Sequence, residues 1–274
     1  MRKKKSLREE FYCAGRLKSC PVYDLHGHMG PVSGIHLPDC QVEAMVRGMK
    51  KAGVVKLIFS HHAALMAPDI GNQASEEAVR KYPDFFRAYL VFNPHYPEIF
   101  QQEISSWDNE IFAGLKFLAD YHRVSVADQR YKIAWEFGEV RKLPVLLHTW
   151  GGSSYDGPEQ IRQVASRYPD CPMLLGHSCH GEWKKAISLV REFPNIYLEL
   201  CAVLDERGIL EQLVEAVGSE RIVFGTDFPW FSYSYYIGAV LDARITEEDR
   251  RRIFSENAER IMLAIKRQSK DCDS

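Results

Sequence analysis

The stretch Tyr23-Asp24-Leu25-His26-Gly27-His28-Met29-Gly30 decides how the rest of this chain is read. On a strand, successive side chains point to opposite faces, so Asp24, His26 and His28 share one face and the two imidazoles can converge on a single point. Neutral imidazole is a good ligand for Zn, Mn, Fe or Ni, and two imidazoles on a rigid strand lose little entropy when they chelate. Gly27 lets a backbone or ligand approach closely, and Met29-Gly30 ends the strand. A His-x-His pair also occurs on ordinary exposed strands, so the remainder of the chain must show whether a metal site is being built.

Working outward, strand-length apolar runs alternate with segments of helical period. A charged lead-in, helical through Phe11, precedes the first strand at 22–26. Val42, Met45, Val46 and Met49 fall at i, i+3, i+4 and i+7 and predict a helix over 37–51. Strands follow at 54–59, 85–92, 111–117, 144–148, 173–177, 196–200 and 221–225. Between and after them, helices are predicted over 74–82, from Pro94 and Pro97 to Trp107, and over 128–141, 158–168, 182–192, 205–217 and 247–266. The carboxyl ends of the strands fall near 26, 59, 92, 117, 148, 177, 199 and 225, so the gaps run from 22 to 33 residues. A right-handed crossover with its helix needs that length, and eight in succession favour a closed (β/α)8 TIM barrel. An open doubly wound sheet would usually carry a G-x-G-x-x-G turn after its first strand, and none follows here. With no linker or repeat, 1–274 reads as a single domain with 1–20 as its lead-in.

The 274 residues are 46% hydrophobic and 26% charged, a globular composition, and the net charge of -2 offers no broad basic field for nucleic acid or anionic lipid. A small-molecule substrate is the expected partner. Arg2-Lys3-Lys4-Lys5 is not followed by an apolar run and reads as a solvated tail rather than a signal peptide. No segment approaches the roughly 18 apolar residues of a membrane span. Seven cysteines without a C-x-x-C pair read as reduced thiols of a cytoplasmic protein.

If the barrel is right, side chains at the carboxyl ends of its strands face one pocket. Strand one gives His26 and His28, strand four Lys116, strand five His148, strand six His177 and strand eight Asp227. Tyr121, His122 and Arg123 follow strand four, and Trp150 and Trp230 lie on the same rim, where they are candidates to touch substrate. His61, His62, His95 and His180 are weaker candidates, and Tyr155 and Phe231 could add to an aromatic wall.

Asp24-x-His26-x-His28, Gly114-Leu115-Lys116, His148, Gly176-His177, Gly225-Thr226-Asp227-Phe228-Pro229 and the closing Glu256-Asn257-Ala258-Glu259-Arg260-Ile261 together resemble the amidohydrolase superfamily. Within it, the chain is most similar to the amidohydrolase-related (amidohydrolase 2) group of metal-dependent hydrolases and nonoxidative decarboxylases. That resemblance implies His26, His28, His148 and Asp227 as ligands of one divalent ion, zinc first and manganese second. It also implies Asp227 and a protonated His177 as the catalytic acid-base groups. Lys116 matches the lysine that bridges two ions in binuclear relatives, with His177 then on the second metal; one ion is favoured over two, because this group commonly carries a Gly-x-Lys strand while using one metal. A plainer role for Lys116 is a barrel-mouth ammonium facing an acid or a substrate carboxylate. The group often forms dimers.

Three functions follow from that resemblance. The first is a metal-dependent hydrolase that turns a metal-activated water on a lactone, ester or amide. The second is a nonoxidative decarboxylase of an unsaturated or aromatic acid, for which Arg123, Lys116 or Arg87 supplies the cationic group. The third is a barrel that binds metal or ligand without catalysis. The absence of long inserted loops tilts the reading toward hydrolase.

Overall fold

The computed structural model describes residues 5–271, with side chains through Ile265; Arg2, Lys3, Lys4 and Cys272 of the sequence reading lie outside the described residues. Eight parallel strands lie in chain order in one sheet: β1 Val22–Met29, β2 Val54–His61, β3 Phe86–Val91, β4 Phe112–Phe117, β5 Val145–Trp150, β6 Met173–His180, β7 Ile196–Glu199 and β8 Ile222–Val223. Helices occupy the crossovers, and the sheet curls into a (β/α)8 barrel.

Closure rests on β1. The ladder of β8 is only two residues long, and the chain beyond it takes over: Leu25 donates to the Phe224 carbonyl (3.0 Å), Asp227 to His26 (2.7 Å) and His28 to Phe228 (2.7 Å). The backbone thus stitches the two ligand-bearing segments to each other. Asp24 adds the side-chain half of that seam. Fully buried, it accepts from the Thr226 amide (3.1 Å), the Thr226 hydroxyl (2.5 Å) and the His26 amide (3.0 Å). It shares the face of the two histidines but serves the closure.

Beneath the mouth, Leu25, Ile58, Tyr89, Ala113, Leu146, Leu174 and Val223, from seven of the strands, pack with Ala258, Ile261 and Ile265 of the last helix. This floor makes the interior a packed core and leaves only the carboxyl ends open to a ligand. A larger apolar layer, including Leu57, Phe86, Leu115, Trp135, Leu175 and Ile237, fills the space between strands and helices.

Two differences from the sequence reading have physical causes. The helix Tyr233–Asp242 was not anticipated, although Tyr233, Tyr236, Ile237, Val240 and Leu241 keep a helical period; interleaved Ser and Gly mask it. The final helix is interrupted. Glu247–Arg251 passes through a π-turn at Arg252–Glu256 into Asn257–Asp271, and Asn257 donates to the carbonyls of Ser219 (2.8 Å) and Ile222 (2.7 Å), tying the helix to the start of β8.

Candidate metal centre

His26 Nε2, His28 Nε2 and an Asp227 oxygen come together at the end of the β1–β8 seam, where their ligand atoms lie within 4.8 Å of one another. Asp227 Oδ1 is 2.9 Å from His28 Nε2 and 3.2 Å from His26 Nε2, yet it is buried without a hydrogen bond of good geometry. Asp227 Oδ1 without a partner, facing two imidazole nitrogens of which only His26 Nε2 has another neighbour, the Lys116 ammonium at 3.0 Å, is what a divalent cation resolves, so the donor set fits a metal.

Each imidazole is oriented from behind. His26 Nδ1 meets Glu199 Oε2 at 2.9 Å, His28 Nδ1 meets the Ser60 hydroxyl at 3.3 Å, and His148 Nδ1 meets Asp156 Oδ2 at 3.0 Å. Such partners fix the tautomer and leave the far nitrogen for a ligand. The His62 ring stacks on His28 with centroids 4.8 Å apart and is itself pinned by the Gly30 carbonyl (2.7 Å) and the Trp230 indole N–H (3.0 Å).

Glu199 is the group the sequence reading missed. It stands at the end of β7, fully buried, and its two oxygens accept from His26 Nδ1, from the His177 amide (3.1 Å) and from the Cys201 amide (2.7 Å). Burial pushes its carboxyl up to about 8, against the pull of those amides. Space for it comes from Gly225, where a Cβ would lie 2.1 Å from Glu199 Oε1 and 2.8 Å from His26 Cβ. The signal was present: Glu199 is the acid in the otherwise apolar Ile196-Tyr197-Leu198-Glu199-Leu200. Asp156 gave no comparable signal, being one polar residue in a polar loop.

Lys116 lies deeper than the sequence reading placed it. It is 1% exposed rather than a mouth ammonium, with Nζ 3.0 Å from His26 Nε2, and burial brings its pKa down to about 8. Burial, helped by His26, His148 and Lys116, lowers the His177 pKa well below the usual imidazole range against the attraction of Asp227. His177 Nδ1 is buried without a partner. For Asp227, burial alone would raise the pKa, but the imidazoles of His26, His28 and His177 pull it well below the usual carboxylate range. His177, Ser178 and Cys179 have φ of 65°, 49° and 54°, and Asp227 has 58°, a left-handed backbone that non-glycine residues adopt at a cost and that concentrates at functional sites.

The other candidates separate cleanly. His148 packs edge-on to His177 (4.9 Å between centroids) but its nitrogens do not join those of His26 and His28 within 4.8 Å. Tyr121, Arg123 and Trp150 line one cavity of about 460 Å³ with His148 and Asp120. Trp230 caps His62 at the rim. His122 turns away: it is buried, with Nε2 2.7 Å from the Leu65 carbonyl and Nδ1 3.4 Å from the Tyr131 hydroxyl. Arg87 is at the other end of the barrel, donating to the carbonyls of Asn109 and Phe112, and is out of reach of a substrate at the mouth. Nor does His95 or His180 offer both nitrogens, since each is tied to a carbonyl.

The amidohydrolase family model matches residues 39–262, and the chain belongs to that family of enzymes. It is 22% identical over 279 aligned positions to a gamma-resorcylate decarboxylase of Polaromonas, covering 79% of this chain and 85% of that one. A 105-residue stretch is 27% identical to Protein fluG of Emericella nidulans, which is 34% of this chain and only 12% of that protein. Among solved structures, a 5-carboxyvanillate decarboxylase from Novosphingobium aromaticivorans, crystallised with manganese and 4-hydroxy-3-methoxy-5-nitrobenzoic acid, superposes with a TM-score of 0.72 at 14% identity. That match covers 89% of this chain and 96% of the other. No described helix is long and apolar enough to cross a membrane.

Proposed function

We propose that this protein is a metal-dependent nonoxidative decarboxylase of a small hydroxylated aromatic acid. The observation that carries the reading is the cavity beside the centre. Trp150 stacks parallel to His148 (9° between planes), Tyr121 stands edge-on to the same ring, and Arg123 brings a guanidinium that makes no ion pair among the described residues. Flat walls and one uncommitted cation suit a flat anion. Two of the three proteins named above, the gamma-resorcylate and 5-carboxyvanillate decarboxylases, carry the same activity in their names, which moves the balance away from the hydrolase reading.

His26, His28 and Asp227, with His148 as the family resemblance implies, would hold one ion, manganese or zinc. When bound, it supplies positive charge that polarises substrate oxygens. One ion is preferred over two because Lys116 Nζ sits as a donor beside His26 Nε2 in a fully buried position. In this reading Arg123 pairs with a substrate oxyanion, and Tyr121 and Trp150 hold the ring flat and exclude water. The bond between ring carbon and carboxylate breaks, CO2 leaves, and the ring carbon takes a proton. Lys116 Nζ is the proton source, since its pKa near 8 leaves it charged at neutrality yet ready to give up the proton. His177, neutral and with Nδ1 unpaired, positions the reacting group.

Hydrolysis has one observation of its own, the ionised Asp227, which could act as a base. The two are separated by incubating manganese-loaded protein in D2O with hydroxybenzoic acids and, separately, with lactones and esters. Decarboxylation releases CO2 and places one deuterium on the carbon that carried the carboxylate. Lactone or ester turnover with no CO2 from any acid would overturn the proposal in favour of a hydrolase.

A further inference from the structure

His26 belongs to two groups of ligand atoms. One is His26, His28 and Asp227; the other is His26, His177 and Cys201, again with all three ligand atoms within 4.8 Å. The second group has no place in the chemistry above. Cys201 follows Glu199 just past β7 and is fully buried, with the Tyr236 hydroxyl as a neighbour. His177 is 6% exposed and its Nδ1 has no partner, and its ring lies 5.2 Å from that of His26.

We propose that His26, His177 and Cys201 form a second, thiophilic metal seat that excludes the first. Two imidazoles and a thiolate select Zn or Cd, whereas two imidazoles and a carboxylate accept Mn more readily. Exclusion follows from His26. Its Nδ1 is committed to Glu199, so an ion must take Nε2 in place of the Lys116 ammonium 3.0 Å away, and that one lone pair serves one ion. The centre therefore holds one ion per chain whichever metal is supplied, and the metal's softness decides where it sits. Cys201 binds as thiolate, and its proton is released to solvent as the ion enters. Seating an ion there also ties up His177, so a cadmium-loaded protein loses the group that the manganese-loaded protein leaves free.

The test is optical and needs no substrate, so it stands apart from the decarboxylase reading. Cadmium is added to the manganese-loaded full chain while the ultraviolet thiolate-to-cadmium absorbance and the electron paramagnetic resonance of released Mn(II) are followed. The expected result is one Mn released per Cd bound, with the absorbance rising in step. In both Cys201→Ser and Cys201→Ala that absorbance is lost, and cadmium displaces manganese less readily. No thiolate absorbance in the wild type overturns the proposal, and so does absorbance that persists in both variants, which would assign it to another cysteine. Manganese and cadmium bound together at one each per chain would overturn the exclusion.

Discussion

Replacing Glu199 by Gln keeps the shape of the side chain and removes one of its two acceptor oxygens. In the native chain Oε2 accepts from His26 Nδ1 and the His177 amide, and Oε1 accepts from the Cys201 amide; three donors meet two acceptor oxygens. A glutamine offers one acceptor and one NH2 group. With its oxygen toward His26, the NH2 opposes the Cys201 amide; flipped, it opposes the His177 amide and forces His26 into the tautomer that no longer presents a lone pair at Nε2. Either orientation leaves a buried donor unsatisfied, which costs about 1–3 kcal/mol of stability. Loss of a partner behind a metal-binding histidine typically weakens metal affinity about 10- to 100-fold, or roughly 1.4–2.7 kcal/mol. Both effects are read on metal-free protein, by thermal melting and by titrating Mn(II) against a chelating indicator. Manganese affinity within about twofold of wild type in a folded Glu199→Gln protein would refute the role given to Glu199.

Three further outcomes are expected. Gly225→Ala places a Cβ 2.1 Å from Glu199 Oε1, so it should displace that carboxylate, lower the melting temperature by an overpacking cost of about 1–3 kcal/mol, and reproduce the metal defect of Glu199→Gln; melting curves and Mn(II) titration check this. Arg123→Met should raise KM for an acid substrate at least about tenfold with little change in melting temperature, whereas His122→Asn should lower the melting temperature with KM unchanged, because His122 spends both nitrogens inside the fold. Away from the centre, burial pushes the Glu103 carboxyl up to about 7 despite its hydrogen bonds from Asn72. The folded state then keeps a proton that the unfolded chain has released, so the stability tied to neutral Glu103 is complete below the unfolded carboxylate range and is lost as pH rises through 7. Wild-type melting temperature should therefore fall relative to Glu103→Gln between pH 5 and pH 8, and a constant difference would contradict it.

The eight strands were legible because most are short runs rich in apolar residues, and the barrel followed from their spacing. The helices were less so. Pro68–Lys81 begins six residues before its expected start at Ala74, because Gly71 and Asn72 look like a turn. Gly71 is instead a close approach to Ala64, and Asn72 exchanges two hydrogen bonds with the Val91 backbone. Within the site, residues at strand ends were readable one by one, since period-2 geometry places them. What stands behind them was not, because Asp156 and Glu199 reach their histidines across 8 and 173 positions of chain. Depth was equally hidden: nothing in Gly114-Leu115-Lys116 says whether the ammonium ends at the rim or against His26.

The tilt toward hydrolysis rested on the lack of long inserted loops, whereas the comparisons favour the decarboxylase alternative. A decarboxylase structure shares this fold over 89% of this chain with a TM-score of 0.72, so the barrel itself does not separate the two reactions. In the proposed reading what encloses a substrate is short: Tyr121 and Arg123 in the turn after β4, and Trp150 at the end of β5. Arg123 owes its place to a φ of 52°, which ends the one-turn helix Ala119–His122 and turns the chain at the cavity edge, while Trp150 stacks on His180 at 4.4 Å and is held in place. Two aromatic rings and one cation fixed in this way supply positioning that a long lid would otherwise provide. Specificity should accordingly move with Tyr121, Arg123 and Trp150, and loop length is a poor guide to the reaction of this barrel.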